Sequence, residues 1–180
     1  MAMRNDMTLS QIYLDPPRSD LWGTPAGLRE AAEKLLYVKF SDFDPSPFPR
    51  PVDFDGLKVQ WGNKGDAIFC NPPFTKCKEF MEKAVVEACN GRTVAMLIAA
   101  RSDTQTWHSY VFGRADAIYF IMGRLKFENL SAKAIQLGFN VEGAVSDYKP
   151  STTGAAAFPS ALIVFRPTGS KLTRALPWLI

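Results

Sequence analysis

Ala67-Ile68-Phe69-Cys70-Asn71-Pro72-Pro73-Phe74 decides the fold of this chain. Four apolar residues run without a polar break into an amide, two prolines and an aromatic ring. A segment with helical spacing follows from about residue 75 to residue 89, Asn90-Gly91 supplies a turn, and Thr93 to Ala99 is again a mainly apolar run. This change of period predicts a βαβ unit with strands at 67–70 and 93–99 and a helix between them. Its strands should be parallel, with helices covering both faces of the sheet.

On the N-terminal side, Leu28, Ala31, Ala32, Leu35 and Leu36 recur at helical spacing and predict a first helix over Leu28–Val38. Val38 to Phe43 alternates apolar and polar residues and stops at Asp44-Pro45, as a strand does before an active-site loop. The proline-rich stretch up to Pro51 admits neither helix interior nor central strand, which leaves an ordered loop. On the C-terminal side a short helix is expected over Thr104–Phe112 and a strand over 117–122. Gly123 opens a candidate hairpin with Arg124-Leu125-Lys126-Phe127, and 161–165 is a closing strand. Residues 128–157, rich in polar, Gly and Ala positions, read as a long mobile loop. The expected layout is an N-terminal arm at 1–20, one α/β domain at 21–166, and a C-terminal tail at 167–180 whose apolar end, Ala175 to Ile180, folds back or meets a partner.

With 180 residues, 47% of them hydrophobic, the chain has the size and core of a single domain. A net charge of +3 and a pI near 8.8 are mild, so any nucleic-acid affinity must come from a local basic patch. Cys70, Cys77 and Cys89 lack the paired spacing of zinc sites, and the one histidine, His108, cannot complete a ligand set. Reduced thiols and no metal are expected. No stretch approaches the length of a membrane span, and Arg4, Asn5 and Asp6 precede any apolar run. The expectation is a soluble, cytoplasmic protein.

The chemistry of Asn71-Pro72-Pro73-Phe74 suits a planar amine. The Asn71 side-chain oxygen and the Pro72 carbonyl are two acceptors that can bind both hydrogens of an exocyclic amine on a base and favour its pyramidal, nucleophilic form. Phe74 offers a face on which a base extruded from a duplex can stack. Asn71 is equally a candidate N-cap, and the prolines suit a first helical turn, so a rigid strand-to-helix turn accounts for the same four residues.

Several separate segments extend the pattern. They are Trp22-Gly23-Thr24-Pro25, Asp42-Phe43-Asp44-Pro45, Asp55-Gly56-Leu57 with Trp61, Phe69 to Phe74, Ala100-Arg101-Ser102-Asp103-Thr104 with Trp107-His108, Gly123 to Phe127, and Phe158-Pro159-Ser160-Ala161-Leu162. Together, in this order from about residue 20 to residue 166, they resemble the phage-type DNA adenine methyltransferases. The resemblance implies a single-domain α/β fold with a Rossmann-like class I methyltransferase sheet and S-adenosylmethionine at the carboxyl ends of its strands. It implies methyl transfer to the exocyclic amino group of adenine in double-stranded DNA, with the target adenine flipped out. Methylation of another planar amine, in RNA or a protein glutamine, and an inactive fold retained for DNA binding are the alternatives.

By the same resemblance, Asn71, Pro72, Pro73 and Phe74 are catalytic, and Asn71 also meets the cofactor. Trp22, Thr24 and Pro25 hold its methionine end, and Asp44 with Pro45 faces the positively charged methionine portion. Asp42 competes with Asp44 for that role, Asp55 is a candidate for the ribose hydroxyls, and ordinary turn chemistry accounts for all three aspartates otherwise. Arg101, Asp103, Trp107 and His108 would line the base or phosphate channel, against the plainer reading of a solvated ion pair and a partly buried indole. Arg124 and Lys126 would meet DNA phosphates unless they simply face solvent. A Ser102/Asp103/His108 hydrolase triad lacks the nucleophile-elbow context. Two departures stand out: the loop Asp44-Pro45-Ser46-Pro47-Phe48-Pro49 has no glycine, and Asn71 and Phe74 stand where aspartate and tyrosine are common. The last two changes keep the acceptor and the aromatic face.

Overall fold

The computed structural model describes residues 20–130, 133, 136 and 156–167, together with the backbone of 175–179. The predicted βαβ unit forms: β2 (Ala67–Cys70), α2 (Cys77–Cys89) and β3 (Thr93–Ala99), with Ala67 opposite Thr93 and Cys70 opposite Met96 in parallel register. β1 (Trp22–Gly23) and α1 (Leu28–Leu36) precede it; β4 (Ala117–Ile121), β5 (Glu128–Asn129), β6 (Ser160–Phe165) and β7 (Ala175–Leu179) follow.

The main sheet has five strands in the order β2-β3-β6-β4-β7. β6 runs antiparallel to both β3 and β4, whereas β2 and β3, like β4 and β7, pair in parallel. Alternation along the strands feeds two cores. Ile68, Cys70, Val94, Met96 and Ile98 pack with Phe80, Met81, Ala84 and Ala88 of α2 on one face. Phe69, Ala95, Leu97, Leu162 and Val164 pack with Ala32 and Leu36 of α1 on the other. Both faces are thus covered, which is why β2 and β6 are buried along their whole length. The apolar tail folds back: β7 extends the sheet beside β4.

Four expectations need correction. α1 ends at Leu36 rather than Val38, because Tyr37 turns left-handed (φ 54°) and the Val38 N–H donates back to the Glu33 carbonyl. The strand expected over Val38–Phe43 reduces to one parallel bridge, Phe40 with Ala67. Side chains of α1 take up the neighbouring backbone groups instead: Glu33 accepts the Phe40 N–H at 2.9 Å and Arg29 donates to the Ser41 carbonyl. The hairpin after Gly123 does not form either. Residues 124–127 keep their alternation, with Leu125 and Phe127 turned to the core and Arg124 and Lys126 exposed, but the pairing partner of β5 is β1. The short helix expected at Thr104–Phe112 is a wide-turn segment at Trp107–Val111. Most of the N-terminal arm and of the long loop at 128–157 lies outside the described residues.

Candidate active site

β2 ends at Cys70, so Asn71 opens a loop at the carboxyl edge of the sheet, next to the loop that leaves the Phe40 bridge. Between them lies a cavity of about 440 Å³. That volume is typical of small-molecule sites. Trp22, Thr24, Asp44 and the four residues Asn71–Phe74 line it.

The Asn71 amide has a fixed orientation. Its Nδ2 donates to the Trp22 carbonyl at 3.0 Å, and a carbonyl can only accept, so Oδ1 points away from Trp22. Among the described residues no donor is bonded to that Oδ1 or to the Pro72 carbonyl. Asn71 caps no helix. The short 3₁₀ turn Phe74–Lys76 starts from Pro73 and α2 from Lys76, neither with a side-chain cap. The Phe74 ring is half-buried and held by two near-perpendicular neighbours, Phe158 at 5.3 Å and Phe127 at 6.3 Å between centroids.

Asp44 is reached by water yet crowded by protein atoms inside the concavity. Loss of hydration raises its carboxyl pKa above the ordinary aspartate value, opposed by the Ser46 N–H, bonded at 2.8 Å, and by the Arg29 cation. Asp42 lies outside this cavity, exposed beside a shallow depression that holds Glu33 and Lys39. Pro45 is buried, its carbonyl pressed against Gly56: a Cβ at position 56 would sit 1.8 Å from the Pro45 oxygen. Asp55 serves its own turn, accepting the Leu57 N–H at 3.0 Å with Lys58 3.6 Å away, and lines no part of the cavity. The Pro25 carbonyl accepts the Leu28 N–H and starts α1; it too is outside the lining.

Beyond β3, Arg101, Asp103 and His108 are exposed and stand apart from the cavity. Trp107 belongs to the core rather than to a channel wall. It is 2% exposed, stacks on Phe120 at 6.1 Å and donates Nε1–H to the Ala99 carbonyl at 3.1 Å. Cys70 and Cys77 flank the Asn71 loop as free thiols. Burial pushes Cys77 up to about 11 and Cys70 well above its ordinary value, the latter helped by Asp44 and Cys77. Neither is a thiolate nucleophile at neutral pH.

The cavity also holds charged residues that sequence reading passed over: Asp20, Arg29, Arg50, Lys76, Glu128 and Lys133. Arg29 carried a signal, since it follows Trp22-Gly23-Thr24-Pro25 directly on the first turn of α1. Asp20 and Glu128 carried none, because two-residue strands, pairing Trp22 with Asn129 and Gly23 with Glu128, show no period. A lining with both signs of charge suits a ligand that is itself both cationic and anionic. S-adenosylmethionine, with its ammonium, carboxylate and sulfonium, is such a ligand. A carboxylate made costly by lost hydration, Asp44, is a fitting partner for one of its cations.

The model of the DNA N-6-adenine-methyltransferase (Dam) family matches residues 11–170, and the chain belongs to that family. It is an enzyme that transfers a methyl group from S-adenosylmethionine to the exocyclic amine of adenine in DNA. Comparison with the curated proteins gives no match. The alternatives of an RNA base, a protein glutamine or an inactive fold find no support. No helix among the described residues is long and apolar enough to cross a membrane.

Proposed function

We propose that the target adenine is flipped out of double-stranded DNA into the Asn71–Phe74 end of the cavity, with the methionine end of the cofactor beside Asp44 and Thr24. The observation that carries this reading is the Asn71 amide, whose nitrogen is turned to the Trp22 carbonyl while its oxygen and the Pro72 carbonyl are left as acceptors. Two acceptors hold the two amine hydrogens and turn the nitrogen lone pair out of conjugation with the ring, which lowers the barrier to attack. S-adenosylmethionine, when bound, would supply the sulfonium-activated methyl group, its S–CH3 bond breaking to leave the neutral thioether as the N–CH3 bond forms, with the surplus amine proton lost to water. Phe74 stacks on the base and keeps it in register, and Pro73 gives the loop its rigidity. Asp44, in preference to Asp42 or Asp55, pairs with the methionine ammonium. Arg124 and Lys126, with Arg101, Asp103 and His108 further along the same edge, meet the DNA.

We read the sheet as a Rossmann-like class I methyltransferase sheet. The Phe40 bridge, β2, β3, β4 and β7 run one way and β6 alone runs the other, and a ligand at the carboxyl ends of the parallel strands follows the rule for open α/β sheets.

Phe74→Tyr and Phe74→Ala test the base pocket, with N6-methyladenine formed in unmethylated genomic DNA measured by mass spectrometry. Tyr retains the ring and most of the activity. Ala loses stacking of about 1–3 kcal/mol, roughly a five- to hundredfold fall in turnover. A Phe74→Ala enzyme as fast as wild type would reject base stacking on this ring.

A further inference from the structure

The loop that carries Asn71 and Phe74 has one backbone hydrogen bond of its own, from the Lys76 N–H to the Pro73 carbonyl at 3.1 Å, and little else. Pro72 and Pro73 have no N–H to donate, and the 3₁₀ turn that follows, Phe74–Lys76, has no side-chain cap of its own. The missing acceptor comes from far away in the chain. Asp20 accepts the Thr75 N–H at 3.2 Å through Oδ1 and the Thr75 hydroxyl at 2.6 Å through Oδ2. Two residues later the Trp22 carbonyl accepts from the Asn71 amide. One short segment, Asp20 to Trp22, therefore grips the loop at both ends, with Phe74 between the grips. The segment is itself anchored: Leu21 is buried, its carbonyl accepts the Leu130 N–H at 3.0 Å, and β1 pairs with β5.

We infer that Asp20 is a positioning residue for methyl transfer: it clamps Thr75 and so sets the height of Phe74 and the direction of the Asn71 oxygen. The inference rests on the base-pocket reading of Asn71 and Phe74. The second grip explains the residue type at position 71. A carboxylate there would turn an oxygen onto the Trp22 carbonyl oxygen, across a gap now bridged by an N–H at 3.0 Å. Asparagine keeps the acceptor and satisfies the carbonyl at once, whereas aspartate would keep only the acceptor.

The test is a cycle of Asp20→Ala, Thr75→Val and the double variant in the full-length enzyme, with single-turnover methylation of unmethylated genomic DNA, S-adenosylmethionine affinity and thermal melts on the same preparations. Displacement of a catalytic group by a fraction of an ångström lowers each single variant's rate about tenfold. Thr75→Val leaves affinity for S-adenosylmethionine within about twofold, and the double variant is no slower than Asp20→Ala alone, because Asp20→Ala already removes both bonds to Thr75 and Thr75→Val only the hydroxyl one. Thr75→Ser, which keeps the hydroxyl, recovers most of the rate lost in Thr75→Val, and Asn71→Asp is slowed at least about tenfold by the unpaired Trp22 carbonyl. Wild-type rates in both singles, losses that multiply in the double variant, or losses confined to cofactor affinity or to the folded fraction overturn the clamp. Asn71→Asp at the wild-type rate overturns its second grip. Failure of the base-pocket reading is a separate result, seen as a folded Asn71→Ala enzyme that methylates normally.

Discussion

Replacing Asn71 by Ala separates chemistry from folding, because on the reading proposed above its two ends do different work. The Nδ2 bond to the Trp22 carbonyl is part-buried and 3.0 Å long. Its loss costs about 0.5–1.5 kcal/mol of stability. For a chain of 180 residues that lowers the melting temperature by only a few degrees, about 2–4 °C per kcal/mol. The Oδ1 end matters only when an amine is bound, and removal of one preorganised hydrogen-bonding group costs about 10²- to 10³-fold in turnover. Helix capping contributes nothing to either figure, since the caps of the following turn and helix are Pro73 and Lys76. The expected variant is therefore folded at 25 °C, binds S-adenosylmethionine almost as well as wild type and turns over at most about a hundredth as fast. Melts, cofactor titration and single-turnover methylation on one preparation check this. A variant that melts lower yet methylates at the wild-type rate would show that Asn71 is a structural residue and that the amine is bound elsewhere.

Other perturbations follow from the same geometry. Asp44 has a folded-state pKa raised above its ordinary 3.8, so its ionised form costs stability at neutral pH and the cost vanishes as pH falls from the raised value through 3.8. Asp44→Asn should melt higher than wild type at pH 7, with the difference shrinking toward pH 4. The same variant should bind S-adenosylmethionine roughly tenfold more weakly, and wild-type affinity should fall over that acidic window; lower stability with unchanged affinity would remove Asp44 from the cofactor site. Arg124→Ala or Lys126→Ala should weaken duplex binding at every sequence alike and reduce the salt slope by about one unit each, and an unchanged slope in both would assign them to the solvated surface. Gly56→Ala forces a methyl group to within 1.8 Å of the Pro45 carbonyl, so the Asp44 loop must move. A loss of about 1–3 kcal/mol of stability together with weaker cofactor binding is expected, and calorimetric affinity equal to wild type would detach Gly56 from the site.

What was legible in the chain was what has a period. β2 and β3 were readable to the residue because a parallel strand covered on both faces must be apolar throughout, and α2 because Phe80, Met81, Ala84 and Ala88 recur on one face. The cavity lining was legible where its residues are contiguous, as in Asn71 to Phe74. It was illegible where side chains override backbone pattern or where contact spans the chain. Glu33 and Arg29 take up the backbone groups that would have made Phe40 part of a longer strand, and no periodicity records that competition. The Asp20–Thr75 pair is separated by 55 positions. Neither residue is unusual in its own neighbourhood. Of the two readings the sequence left open for Trp107, channel wall or partly buried indole, burial favours the second, because next to exposed Arg101, Asp103 and His108 the large ring is the piece that the core takes in.

The glycine-free loop after Phe40 finds a physical answer in the same contacts. A glycine-rich loop serves a nucleotide site by letting backbone come close without a Cβ in the way. Here the loop supplies prolines instead, which fix the direction of its carbonyls but cannot themselves make room. The room is made from the other side: Gly56 has its backbone against the Pro45 carbonyl and accepts the Trp61 indole N–H at 2.6 Å, while Trp61 is fully buried on Phe80 of α2. Asp44 is thus held at the cavity by a chain of contacts that ends in the core, through Pro45, Gly56 and Trp61. Gly56 itself lines no part of the cavity, so its contact serves the placement of the Asp44 loop and not a backbone approach to the cofactor.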